Sequence, residues 1–368
     1  MDKSKYHLLS DSEAVSILAG LMIGVGFLAL PNQVAKDAKN DAGIATIIGG
    51  LYPLYFAMLS IYYCKKHPNE DILKLSKRYL GNIVGVICNI LFMVQFLIYL
   101  AAGANGYKNV LITYATQFLS PMRVFIIVIS IGAYVNFVGL KPLARINKIA
   151  LFLTVIVTSI LSMSLIRGRY LNLLPIFGTG ITKIIKGSLE SAYAYSGMEG
   201  VLLLYPLMKN KDKIAAISLK ATALVIGVYS WIVFMSIYYL GYKVTVKTLW
   251  PVLLVTESAD LPFINSFRLV FILFWSLNVL KLVANEYYAV VYIIQDTLKI
   301  KKSKHRNIII LGVIPIAIYL CLKLGEEVQR REILNYIVPK IILFNIIYAS
   351  VIAIFIFIND KINKKSIG

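Results

Sequence analysis

The sequence predicts an all-α integral membrane protein whose ten spanning helices form two inverted halves of five, with helices one and six broken. Three observations predict it: an apolar composition, a series of long apolar runs, and a pair of glycine-containing interruptions at matching places in the two halves. The chain of 368 residues is 59% hydrophobic and 15% charged, with mean hydropathy +0.75. An ordinary soluble domain carries about 25% charge, so this surface belongs in lipid.

About 20 apolar residues cross a bilayer core. Ten runs qualify: 13–35, 42–63, 82–111, 122–140, 149–166, 183–208, 214–240, 264–295, 307–324 and 336–358. The gaps between them are too short for a further domain. Residues 1–368 therefore read as a single transmembrane domain, with a first repeat over about 13–166 and a second over about 183–358. The first run follows Lys3 and Lys5 as a signal peptide would. No small-residue cleavage site follows it, however, and Asp11 and Glu13 crowd its start, so it reads as retained.

Net charge is +20, which in a soluble chain would suggest nucleic acid. Its distribution argues otherwise. Alternate loops hold 22 of the 38 basic residues, including Lys65, Lys66, Lys74, Lys77 and Arg78 after helix two and Lys299 to Arg306 after helix eight. The positive-inside rule places that side, and both termini, in the cytoplasm. The loop carrying Glu327 then lies outside. The basic clusters read as topology signals near anionic lipid, with no nucleic-acid partner. Cys64, Cys88 and Cys321 are isolated, and His7, His67 and His305 lie at cytoplasmic helix ends. Neither a metal cluster nor a nucleophile–base pair is visible at membrane depth, so no enzyme, metal or cofactor is expected.

The first interruption is "IGVGFLALP", Ile23 to Pro31. Its core fits G-x-G-x-x-A, but no strand precedes it and no βαβ unit surrounds it, which removes a dinucleotide turn. The second is "SAYAYSGMEG", Ser191 to Gly200. Glycine costs about 1 kcal/mol per residue against alanine in a helix, and a glutamate at membrane depth is costly unless it faces protein or water. Corresponding broken helices in two inverted halves point to a transporter-type site at the midplane. Each break frees backbone groups that a small zwitterion could satisfy, and a half-helix N-terminus favours a carboxylate. Bulk at Gly26 or Gly197 is expected to fill that space. Glycines in membrane helices also serve close packing, and Glu199 beside the second break has two open roles, ligand contact or capping of freed backbone.

"GVGFLALP" and "AYAYSGME" resemble the first- and sixth-helix motifs of the amino acid–polyamine–organocation superfamily. More narrowly, "HPNEDILKLSKRYLG" (67–81), "SGMEGVLLLYPLMKNK" (196–211), "KTLWP" (247–251) and "LPFINSFRLVFILFW" (261–275) resemble the permease-like B subunit of endospore germinant receptors. The resemblance implies a leucine-transporter-like fold in the spore inner membrane and a complex with an A subunit and a lipoprotein C subunit. It also implies recognition of a small germinant, commonly an amino acid, with ion release as the consequence. The pocket it implies is lined by Gly24, Val25, Gly26 and Phe27 of helix one and by Gln95 and Tyr99 of helix three. Tyr195, Ser196, Gly197 and Glu199 of helix six and Asn278 and Lys281 of helix eight complete it. For Tyr99, Tyr195, Gln95 and Asn278, packing or helix–helix hydrogen bonding is the competing role. A proton- or sodium-coupled amino-acid permease is the alternative function. The chain departs from the family in carrying Asn265, Ser266 and Arg268 where two acids and an arginine are usual.

Two lysines stand inside spans. Lys108, near the outer end of helix three, is expected to snorkel. Lys281 is too deep for that. In this fold helix eight faces the opened part of helix one, where sodium-coupled relatives hold a cation. Its ammonium is expected there, on carbonyls freed around residues 24–28, with Glu199 nearby; a water-filled vestibule is the other reading.

Overall fold

A computed structural model of the chain describes residues 8–257, 267–300 and 302–365. Lys3, Lys5, His7, Lys301, and the departures at Asn265 and Ser266 lie outside them. Among the described residues the protein is helical, with one isolated bridge between Leu9 and Met208.

Helix one is two helices. α1 (Asp11–Met22) starts at a capping box, in which the Glu13 carboxylate accepts the Ser10 backbone N–H at 2.8 Å. It ends at Ile23, whose backbone is extended (φ −81°, ψ 111°). α2 (Gly26–Ala38) resumes after Val25. Helix two is α3 (Ala42–Gly49) and α4 (Leu51–Lys66). A short amphipathic helix, α5 (Ile72–Tyr79), follows, capped by the Asp71 carboxylate, which accepts Lys74 N–H at 3.1 Å. α6 (Asn82–Tyr114), α7 (Pro121–Val138) and α8 (Leu140–Ile160) complete the first half.

In the second half, α9 (Ile181–Ala194) stops abruptly, and helix six continues only as 3-10 turns around the single turn α10 (Val201–Leu204). α11 (Ile214–Lys247) bends at Gly241, which sits at φ 72°. The short α12 (Pro251–Thr256), then α13 (Phe267–Thr297), α14 (Ser303–Lys323) and α15 (Glu327–Lys365) follow.

Eight stretches of the described residues are long and apolar enough to span a membrane, the first being Gly26–Lys66. Eight rather than ten appear because helices one and six are cut into pieces too short to qualify, and the second piece of helix one runs on into helix two. Large apolar side chains such as Leu91, Ile127, Phe152, Leu273, Ile316 and Phe357 remain uncovered on the outer faces, as lipid contact requires. The interior is a continuous core in which Phe56, Phe96, Tyr195, Tyr229 and Tyr287 are fully enclosed.

Candidate functional site

The break in helix one leaves carbonyls without their usual intrahelical donors. Side chains from other helices supply them. Lys281 of α13, wholly buried, donates from Nζ to Ile23 O at 3.0 Å and Gly20 O at 3.3 Å. Tyr229 of α11 donates its hydroxyl to Met22 O at 2.7 Å. The Lys281 ammonium thus reaches helix one, but on carbonyls one turn before those expected, because the chain is already extended at Ile23. No carboxylate pairs with it among the described residues.

Glu199 is engaged elsewhere. Gly197 has φ 113°, a backbone conformation open to glycine. A Cβ there would also lie 2.3 Å from Leu21 O, so helices one and six touch backbone to backbone at the two breaks. The Gly197 N–H donates to Glu199 Oε2 at 2.9 Å. Tyr52 OH donates to the same oxygen at 3.3 Å, while Gln95 Nε2 and Asn345 Nδ2 donate to Oε1 at 3.3 and 3.2 Å. Four donors surround this acceptor-only group. Its bond from Gly197 N–H caps a backbone group freed by the second break.

Between the breaks lies a cavity of about 150 Å³. Gly24, Val25 and Gly26 line it from helix one, Tyr99, Ala102 and Gly103 from α6, Tyr193, Ala194 and Ser196 from helix six, and Leu282 and Glu286 from α13. Gln33 of α2 and Arg330, Leu334, Asn335 and Val338 of α15 line its other end. Five of the twelve residues implied by the resemblance are therefore brought together: Gly24, Val25, Gly26, Tyr99 and Ser196. The other seven stand behind the wall. Phe27 packs between the rings of Tyr229 and Phe271. Gln95 and Gly197 serve Glu199, Tyr195 donates its hydroxyl to Thr46 O at 3.1 Å, and Asn278 accepts from Thr154 at 2.8 Å. Lys281 holds the helix-one carbonyls. The two glycines differ in the same way: a Cβ at Gly26 would meet nothing nearer than Ala194 at 3.8 Å, whereas one at Gly197 collides with backbone.

Glu286 and Arg330 were not singled out from the sequence. Glu286 is buried within "VANEYY", one turn beyond Leu282 on the cavity face of α13, and its Oε2 has no hydrogen-bond partner. A charged residue inside a predicted span was the available signal, the same one that marked Lys281.

Polar contacts tie helix one to its neighbours on both sides of the break. At the end carrying the basic clusters, Leu9 pairs with the end of helix six through Leu9 N–H to Leu207 O (2.8 Å) and Lys209 N–H to Leu9 O (2.9 Å), and Glu13 meets Lys141 at 2.6 Å. At the opposite end Glu327 receives Arg330 at 2.7 and 2.9 Å and Arg331 at 2.6 Å. Arg331 also donates to Asn32 Oδ1 at 3.0 Å and Leu249 O at 2.6 Å, tying α15 to helix one and to the segment before α12. Lys108 does not snorkel: it is buried on Asn109 Oδ1 (2.5 Å) and Glu326 Oε1 (3.2 Å).

Residues 8–330 match the family of spore germination proteins. Spore germination protein GerQB of Bacillus cereus is 23% identical over 308 residues, covering 83% of this chain and 84% of its own length. YndE of Bacillus subtilis is 24% identical over 69% of this chain and 70% of its own, and spore germination protein A2 of the same species is 28% identical over 55% and 56%. Among solved structures, a Na+-coupled sialic acid symporter in a substrate-bound outward-open state superposes with TM-score 0.73 at 10% identity, covering 96% of this chain and 80% of its own. MhsT in complex with L-phenylalanine does so with TM-score 0.66 at 15% identity, covering 93% and 88%. The fold is that of the leucine transporter.

Proposed function

From the premise that the chain belongs to the spore germination protein family, we propose that it is the transmembrane subunit of a germinant receptor, binding a small germinant between its two helix breaks. The observation that carries this reading is the cavity walled by Gly24–Gly26 and Ala194–Ser196. At about 150 Å³ it falls below the ~300–1,000 Å³ of drug-sized sites, which suits an amino acid of small side chain. In this reading the helices number ten, repeats 13–166 and 183–358 are related by inversion, and the basic end and both termini face the cytoplasm of the spore's inner membrane. A and C subunits complete the receptor and turn occupancy into germination, with ion passage as the response.

Lys281 adds a functional consequence. An ammonium attached to the protein already sits on the carbonyls of the helix-one break, so the response needs no dissociable sodium there. Deleting the protein in its own spore and exposing the spores to amino acids, sugars and salts tests the function. Loss of response to one class, restored by complementation, is the expected result. Full response to every germinant would overturn the proposal. Saturable amino-acid uptake by the chain reconstituted alone would instead establish the permease alternative, to which the two transporter structures it resembles give standing.

A further inference from the structure

The polar groups facing the cavity are not the ones freed by the breaks. Lys281, Tyr229 and Glu199 already satisfy Gly20 O, Ile23 O, Met22 O and Gly197 N–H. What remains unanswered comes from side chains. Glu286 Oε2, Ser196 Oγ and Tyr99 OH line the same cavity from three different helices with their polar atoms buried; Glu286 Oε2 has no hydrogen-bond partner, and Tyr99 OH and Ser196 Oγ, neighbours of one another, make no hydrogen bond of ordinary geometry. Buried polar groups are ordinarily paired, and each orphan calls for an explanation. Three such atoms converging on one space are placed to share a single partner.

Their chemistry specifies it. Glu286 is 1% exposed, and no basic side chain of the described residues pairs with it. Arg330, the basic residue in the cavity wall, is held by both Glu327 oxygens. Lys281 is on the same helix but engaged with helix one. A buried carboxylate without a countercharge is strongly disfavoured, and a ligand cation removes that penalty on binding. Val25 and Gly26 bring the first turn of α2 to the same cavity, where the helix dipole favours negative charge.

We propose that Glu286 is the ligand's ammonium acceptor, so that the protein recognises a small molecule bearing a protonated amino group, with Ser196 and Tyr99 as the adjoining hydrogen-bonding groups. This rests on the reading of the cavity as the germinant site and narrows its substrate class to amines, α-amino acids first.

The test is calorimetric titration of the full-length chain purified in detergent. Glycine, L-alanine and L-serine are compared with acetate, propanoate and 3-hydroxypropanoate, which lack the amino group, and with glucose and potassium chloride. At least one amino acid should bind, and its desamino counterpart should not. Glu286→Gln should weaken that binding roughly 10- to 150-fold, the range of one charge-assisted hydrogen bond, and Glu286→Asp should weaken it less. The comparison of ligands on the unmodified chain decides the matter even where a variant does not fold. Equal binding of propanoate and L-alanine, or unchanged affinity in Glu286→Gln, would overturn the role of Glu286 and leave the cavity as a site. Binding of glucose or salt in place of amines would do the same. No binding by any probe would remove the germinant site itself, and this inference with it.

Discussion

Replacing Glu199 distinguishes a cap from a ligand contact. Its Oε1 accepts from Gln95 and Asn345, and its Oε2 from Gly197 N–H and Tyr52. Glu199→Ala strands four buried donors. At about 1–3 kcal/mol for each, the loss is about 4 kcal/mol or more before water entering the vacated space recovers part of it. That is a large share of a folded protein's ~5–15 kcal/mol. Glu199→Gln is different because Gln95 Oε1 and Asn345 Oδ1 are buried without partners. If both amides turn over, they become acceptors for the new NH2 group, while the remaining Gln oxygen keeps Gly197 and Tyr52. The loss is then the extra strength of charge-assisted bonds, about 1–2 kcal/mol. The assay is the temperature at which half of the detergent-purified full chain remains monodisperse, followed by germination of spores carrying each variant. Glu199→Gln should lie close to the parent and respond normally, and Glu199→Ala should be strongly destabilised. Equal damage by both would refute the amide exchange. A stable Glu199→Gln chain that no longer responds would place Glu199 in contact with ligand.

Lys281→Met leaves Gly20 O and Ile23 O without a donor, at about 1–3 kcal/mol each, but regains the ~2.5 kcal/mol or more of a buried ammonium. The variant should fold, yet respond at least about 10-fold more weakly as helix one loses its tether, whereas the parent responds equally with and without sodium; a normal response by Lys281→Met spores contradicts this. Gly197→Ala places a methyl group 2.3 Å from Leu21 O in a left-handed conformation that costs about 1–3 kcal/mol, so it should lower protein abundance in the membrane, measured by immunoblot, while Gly26→Ala should not. For topology, Glu327 is too deeply engaged with Arg330 and Arg331 to serve as a labelling site, but the Glu326 side chain is 83% exposed. In a background lacking Cys64, Cys88 and Cys321, Glu326→Cys should react with an impermeant thiol reagent from outside, and labelling only after permeabilisation would reverse the orientation.

The breaks were legible because they are local. Gly24, Gly26, Gly197 and Gly200 each weaken a helix where they stand. What the freed groups do was not legible, because their partners come from distant helices whose rotation a sequence does not display. Lys281 could be placed near helix one, yet the particular carbonyls depended on the chain turning extended at Ile23. Asn278 and Glu286 lie on one helix, but Asn278 turns to Thr154 and Glu286 to the cavity. Lys108 looked free to snorkel because its partners, Gly325 and Glu326, arrive from more than 200 residues away. Ser196 and Tyr99 line the cavity, while Tyr195, beside Ser196, points to Thr46.

Gly26 offers the most direct measurement of whether ligand occupies the space between the breaks. Its backbone borders the cavity, and a Cβ would stand clear of its nearest neighbour, Ala194, by 3.8 Å. Gly26→Leu therefore directs its side chain into the ligand's volume without disturbing the contact between helices one and six. Spores carrying Gly26→Leu, with abundance of the protein matched to the parent by immunoblot, are compared in their germination dose–response to the germinant found by deletion. Loss of the response, or a shift to at least about 10-fold higher germinant concentration, is the result expected of a filled site. A dose–response identical to the parent at equal abundance would contradict binding in this cavity.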